Sequence, residues 1–246
     1  MAKKVNKTEE QFANVEENLS KAGLFVVKNS KKLTSLIFAI VLVFALIIGY
    51  NNFFLEPNEK NASSEMYIAE FFFQNNEYEK ALHGDSTTSI NEIGDTIKLF
   101  HKGFIRISQE YSSTNSGNLA NYYAAICQIN LGSSLDSTQY FIDALNSLNN
   151  FETDDQIIYS LATGLKGDAS MELKDTIKAI DFYKSAATDY INSFTTPYFM
   201  MKQAKIHEKQ KNFSLSLEIC KRIKSDYPES KEGKNIDKYI TSSSNR

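Results

Sequence analysis

Apolar residues are distributed unevenly along the chain. Residues 33–50 read LTSLIFAIVLVFALIIGY, 18 positions without a charge. At helical rise that run is roughly 27 Å long, close to the ~30 Å hydrocarbon thickness of a bilayer. Polar residues appear only at its start, Thr34 and Ser35, so the run has no stripe to turn toward water, and Phe53, Phe54 and Leu55 extend it. The pattern predicts a membrane-spanning anchor over 33–55. No small-x-small cleavage site follows it, which reads as an uncleaved anchor. In the preceding tail, residues 1–32, Thr8-Glu9-Glu10-Gln11 matches a capping box. Phe12, Val15, Leu19, Ala22 and Val26 then recur at helical spacing and predict one apolar helix face. Two uses of Phe12, Val15, Leu19 and Val26 stay open: lying on the inner leaflet, or docking a cytoplasmic or membrane partner.

Beyond residue 56 the pattern becomes periodic. The segments RISQEY and RIKSDY, starting at Arg106 and Arg222, are 116 positions apart and run on to Thr114 and Ser230. The clearest unit spans 195–230: Ala204 is a small residue within a first helix, Phe213 and Ser216 open a second, Ile223 continues it and Pro228 stops it. This is similar to a tetratricopeptide repeat, in which small residues let two antiparallel helices approach. The same template fits Gly167, Ala179, Tyr183 and Ala186, then Ala125, Gly132, Ser137, Phe141, Ala144 and Leu145, then Ala69, Tyr78 and Ala81. In the first unit the second helix is interrupted over 83–103 and resumes at Phe104, about 19 residues longer than the repeat requires. Ile107, Ala144, Ala186 and Ile223 occupy equivalent positions, 37, 42 and 37 apart. The two R-I…Y segments are therefore the ends of second helices in the first and fourth units. A final helix from Ser230 to about Thr241 is expected to cap the stack with Ile236, Tyr239 and Ile240. The fold class that follows is all-α: an N-terminal amphipathic helix and a single transmembrane helix, then a tetratricopeptide-repeat α-solenoid over 56–246 with about four hairpins.

Composition adds direction and excludes several chemistries. Lys21, Lys28, Lys31 and Lys32 precede the span without an acid, whereas Glu56, Glu59 and Glu65 outnumber Lys60 after it. Lysines favour the cytoplasmic side, so the tail is expected inside and the repeats outside, in the periplasm of a Gram-negative cell. A net charge of −3 lacks the basic excess of a nucleic-acid binder. Three Pro, ten Gly and little Val past residue 43 argue against a β-rich fold. Cys127 and Cys220 have no metal or redox spacing and read as buried free thiols. His207-Glu208 begins like a zinc HExxH motif, but Lys211 stands where the second histidine belongs. Asp154-Asp155 reads as acid at a helix start. No nucleophile elbow or phosphate loop occurs, so the chain reads as a non-enzyme without a cofactor or metal.

What remains is surface. In the repeat register, Phe73, Tyr122, Ile126, Ile129, Tyr198, Met201 and Lys205 take inner-face positions, as groove or as packing between repeats. The layout, together with GNLANYYAA at 117–125, FTTPYF at 194–199, and YPES followed by KNIDKYI within 227–240, resembles the YfgM-type ancillary subunits of the Sec translocon. That resemblance implies association with SecYEG and with a membrane-anchored PpiD-like chaperone, and a role in handing over emerging secretory proteins. The alternative reading is a scaffold for another envelope assembly or secretion complex.

Overall fold

A computed structural model of the chain describes residues 21, 23–90 and 96–244. It divides into two units, residues 1–57 and 58–246. The capping box at Thr8–Gln11 and the positions Phe12, Val15, Leu19 and Ala22 lie outside the described residues. Val26 sits exposed in a helical run over 23–28.

In the first unit, α1 (Ser30–Tyr50) is apolar on every side and buries none of its residues. Among the described residues, one helix is long and apolar enough to cross a membrane, with a mean hydropathy of 2.6 over its most apolar window. A π-helical turn, Asn51–Leu55, follows, and the Glu56 amide bonds to the Asn51 carbonyl. Pro57 explains this turn: it has no N–H for the Phe53 carbonyl, and its ring would press on that carbonyl in ordinary α register. Widening the preceding turn relieves both.

The second unit is a series of helical hairpins. The first pairs α2 (Glu56–Gln74) with a helix in two pieces, α3 (Tyr78–His83) and α4 (Phe104–Glu110). Then come α5 (Asn115–Leu135) with α6 (Thr138–Asn149), α7 (Gln156–Glu172) with α8 (Thr176–Thr188), and α9 (Thr195–Lys209) with α10 (Phe213–Asp226). Ile107, Ala144, Ala186 and Ile223, the four equivalent positions, are all fully buried. Paired helices approach where side chains are missing. A Cβ on Gly132 would stand 2.9 Å from the Phe141 ring, and one on Gly167 2.5 Å from the Tyr183 ring. The apolar interior runs through three clusters, centred on Phe104 and Tyr123, on Ala144 and Leu148, and on Tyr183, Phe199 and Ile223.

Every hairpin turns the same way. Asn76, Asp136, Lys174 and Lys211 each adopt positive φ, 50–64°, just past a first helix. In each case the next amide reaches back five residues: Glu77 to Phe72, Ser137 to Gly132, Asp175 to Ser170 and Asn212 to His207. These are Schellman closures, which satisfy carbonyls that the helix end leaves open.

Between hairpins, the two R-I…Y segments build one identical joint. Tyr111 and Tyr227 follow the ends of α4 and α10, and their carbonyls accept from the hydroxyls of Thr114 (2.7 Å) and Ser230 (2.8 Å). Those hydroxyls in turn accept from the amides of Gly117 and Gly233, both at 2.9 Å, capping the next helix. A Cβ on either glycine would lie 1.9 or 2.1 Å from the tyrosine carbonyl. The repeated pattern thus extends to the glycine, R-I-x-x-acid-Y-x-x-(Thr/Ser)-x-x-Gly. Glu59 of α2 reinforces the first joint, accepting from the amides of Asn115 (2.7 Å) and Ser116 (3.0 Å). A carboxylate belongs there, because the start of α5 presents free amides.

Two features differ from the pattern read in the sequence. The interruption in the first hairpin contains an antiparallel pair, β1 (Gly84–Ile90) and β2 (Thr96–Lys102), joined from Gly84↔Lys102 to Ile90↔Thr96. The two threonines and Ile90 of the STTSI run at 86–90, and the TIKLF run at 96–100, have the branched and aromatic character of strands. The pair leaves and rejoins one helix at Gly84 (φ 92°) and Gly103, whose backbones touch closely enough that a Cβ on Gly103 would sit 2.3 Å from the Gly84 nitrogen. The expected single capping helix is instead α11 (Lys231–Lys234) and α12 (Asp237–Ser244). At Asn235 and Ile236 the amides bond three residues back, to Glu232 and Gly233, which tightens the chain and drops Ile236 into the core at 1% exposure.

Gly117→Ala is expected to destabilise the repeat unit by about 2 kcal/mol through the clash with the Tyr111 carbonyl, although alanine is the better helix former. Thermal unfolding by circular dichroism measures it; a raised Tm would contradict the joint. Lys211→Gly has the opposite expected sign, a gain of roughly 0.5 kcal/mol, since glycine adopts positive φ without a Cβ penalty. An unchanged or lower Tm for that variant would show that the turn carries no strain.

Candidate functional site

The first, second and fourth hairpins hold the inner-face residues in different ways. Phe73 is packed edge-on to Tyr78, Phe104 and Tyr123, with centroids 5.1–6.2 Å apart. Tyr122 rests against Phe151 at 5.2 Å, and Ile126 and Ile129 are half-buried beside it. Burial holds the Tyr122 phenol above its ordinary pKa. Phe73, Tyr122 and Ile129 pack against the buried clusters of the first hairpins. Tyr198, Met201 and Lys205 are different: they line one groove of about 450 Å³, together with Lys202, Lys238 and Tyr239. A second groove of about 450 Å³, lined by Leu161, Phe194 and Thr195, adjoins it and shares Tyr198, Lys231 and Glu232.

Local hydrogen bonding fixes the walls of this double groove. The Asn192 side chain accepts from the amides of Phe194 (2.9 Å) and Thr195 (2.7 Å) and donates to the Thr195 hydroxyl (2.7 Å). Capping from Asn192 leaves the Phe194 ring free at the groove, 67% exposed. Tyr198 follows one turn later at 42% exposure, edge-on to buried Phe199. Behind it, Asp168 of α7 joins three helices. It accepts from the Tyr183 hydroxyl of α8 at 2.5 Å and pairs with the Lys202 ammonium of α9. Lys202 also lies 5.2 Å from the centroids of both Tyr183 and Tyr198, a cation over two aromatic faces. Burial, with Asp168 adding to it, pushes the Tyr183 phenol well above its usual range, so it remains a hydrogen-bond donor.

A larger concavity of about 650 Å³ lies among α4, α5 and α6. Its polar lining is mostly spent on the fold itself. Asn118 exchanges hydrogen bonds with the Glu152 backbone at 2.7 and 2.9 Å, and Gln128 accepts from Ser147 at 2.9 Å. The double groove has both an open apolar wall and lysines without a carboxylate partner among the described residues, so it is the better candidate. Sequence reasoning reached Tyr198, Met201 and Lys205 through the repeat register. It missed Phe194, Lys231 and Lys238, which lie outside first-helix positions and enter through a cap and the broken terminal helix.

The chemistry-bearing residues elsewhere are set apart. Cys127 and Cys220 are free and buried. Desolvation pushes the Cys127 thiol up to about 12, so it carries its proton at neutral pH. Burial lowers the His207 pKa, and its Nδ1 has no partner. Asp155 caps α7, accepting from the amides of Ile157 and Ile158 at 2.9 Å.

No family model matches the chain, and no curated protein matches it. Among solved structures it is similar to the nearly identical TPR-like repeats of a kinesin light chain from Podosopora anserina, with a TM-score of 0.50 over 76% of this chain and 86% of that one, at 9% identity. At such identity the likeness shows the fold alone. Residues 58–246 form a TPR-like α-solenoid.

Removing either side of the Asp168–Lys202 pair, by Asp168→Asn or Lys202→Met, is expected to lower stability by on the order of 1 kcal/mol. A double-mutant cycle followed by urea denaturation is expected to return a coupling of similar size. Additive losses would mean that the pair does not hold α7 to α9.

Proposed function

We propose that this protein is a non-enzymatic, membrane-anchored interaction subunit whose repeat unit binds other proteins on the far side of a bacterial inner membrane. The observation that carries this reading is the union of two features in one chain. One is a helix, apolar on every side and unburied. The other is a TPR-like solenoid with an open double groove. An all-round apolar helix of this length is stable where its surroundings are also apolar, which favours a bilayer. Lys28, Lys31 and Lys32 at its start and Glu56 and Glu59 past its end favour a cytoplasmic N-terminus and a periplasmic repeat unit.

Within that class, the resemblance of 117–125, 194–199 and 227–240 to YfgM-type subunits supports an accessory role at the SecYEG translocon. In this role the anchor and tail meet the channel, and the repeats meet a PpiD-like chaperone or emerging secretory proteins. A scaffold in another envelope complex uses the same architecture without those partners.

Purification of the C-terminally tagged chain from membranes in mild detergent, with mass spectrometry, distinguishes the two. Near-stoichiometric SecY with the chaperone is the expected outcome. Deleting residues 12–26 is then expected to reduce SecY recovery. Tyr198→Ala is expected to weaken chaperone or client binding by about tenfold, the scale of an exposed aromatic anchor. Recovery of a different envelope complex, with SecY and the chaperone absent, would leave a scaffold and reject the translocon role.

A further inference from the structure

The protein carries a net charge of −3, yet its double groove is cationic. Lys205, Lys231 and Lys238 line it, and among the described residues none of the three lies within ion-pairing distance of a carboxylate. Lys205 and Lys238 both stand over one ring, Tyr239, at 5.8 and 5.0 Å from its centroid. Both ammonium groups thus crowd one aromatic side chain without a carboxylate partner among the described residues. Glu232 is the one acid lining the groove. Lys202, by contrast, is already paired with Asp168.

These cations come from separate elements: Lys202 and Lys205 from α9, Lys231 from α11 and Lys238 from α12. Several separate ammonium groups fit several carboxylates along an extended chain better than one carboxylate at a single point. The adjoining groove, with Phe194 and Leu161 on its walls, shares Tyr198, Lys231 and Glu232 with it. An occupant lying across the shared residues therefore meets an apolar wall and cations together.

We propose that this double groove binds an extended acidic segment of a partner protein, with a large apolar side chain seated between Phe194 and Tyr198 and neighbouring Glu or Asp side chains along Lys205, Lys231 and Lys238. The site deepens the protein-binding reading above and rests on it. The α9 and α12 contributions make binding depend on the broken terminal helix, because a continuous helix from Ser230 would place Ile236 and Lys238 differently.

The test uses the full chain in mild detergent and a short fluorescent peptide in which a Phe-Leu pair precedes a run of glutamates, followed by anisotropy. The expected result is saturable binding that weakens at least about tenfold, ~1.4 kcal/mol, in three cases. These are glutamine in place of the glutamates, the double variant Lys205→Gln/Lys238→Gln, and a rise to high salt. Amidating the peptide terminus is expected to change nothing. Both lysines are exposed, so the variant's unfolding temperature should match the parent's. Equal binding of the glutamate and glutamine peptides, or undiminished binding to the variant, would overturn the proposal. Loss of binding on amidation would overturn it too, by placing a terminal carboxylate in the groove. If the parent chain still recovers SecY and chaperone and the double variant recovers them equally, this site falls while the broader interaction role stands.

Discussion

Two helices come into close contact only where one of them gives up its side chains. In this solenoid the yielding positions are Gly132 beneath Phe141, Gly164 beneath Phe199 and Gly167 beneath Tyr183, with alanines between. A ring pressed onto bare backbone fixes both the separation of the helices and their axial offset, because the ring fits over one residue and not its neighbours. From that offset come the burial of Ile107, Ala144, Ala186 and Ile223 at equivalent depth, and the placing of Asp168 between Tyr183 and Lys202. The double groove is a product of the same packing. Phe199 faces inward against Gly164, and Tyr198 beside it lies at 42% exposure on the groove side.

Much of this was legible in the residues. Small residues at helix crossings, Pro228 after α10 and the paired R-I…Y segments carry their structural meaning within a few positions, so hairpin count and register could be read directly. The hairpin turns could not. A Schellman closure is most often announced by glycine, and here Asn, Asp and two lysines hold the left-handed position. Asn76 and Asp136 are tolerated there by their short polar side chains, but nothing local marks Lys174 or Lys211. Their conformation is imposed by the two packed helices on either side.

The binding surface was legible only in part, for a related reason. Register assigns a face to residues on regular helices, which is why Tyr198, Met201 and Lys205 were found together and why Phe73 and Tyr122 were candidates at all. Whether a neighbouring aromatic covers such a residue depends on contacts distant in sequence: Phe104 and Tyr123 cover Phe73, and Phe151 covers Tyr122. Lys238 joins the groove after the tightened turn at Asn235, a deviation from helical geometry that periodicity counts as continuous.

The β1–β2 insertion leaves α3 and α4 to act as one helix, because the chain departs at Gly84 and returns at Gly103 almost onto itself. Its stem is tied down locally: the Lys102 ammonium bridges Glu110 at 2.7 Å and the Tyr111 hydroxyl at 2.8 Å. The ladder between the strands offsets the entropy of ordering the insertion, so the helix itself has only the gap from Gly84 to Gly103 to close. The first repeat is therefore a grafting port. Beyond its Lys102 stem, an element spliced between Gly84 and Gly103 can differ in length or sequence while the helices on either side keep their register, because the two glycines already lie in contact.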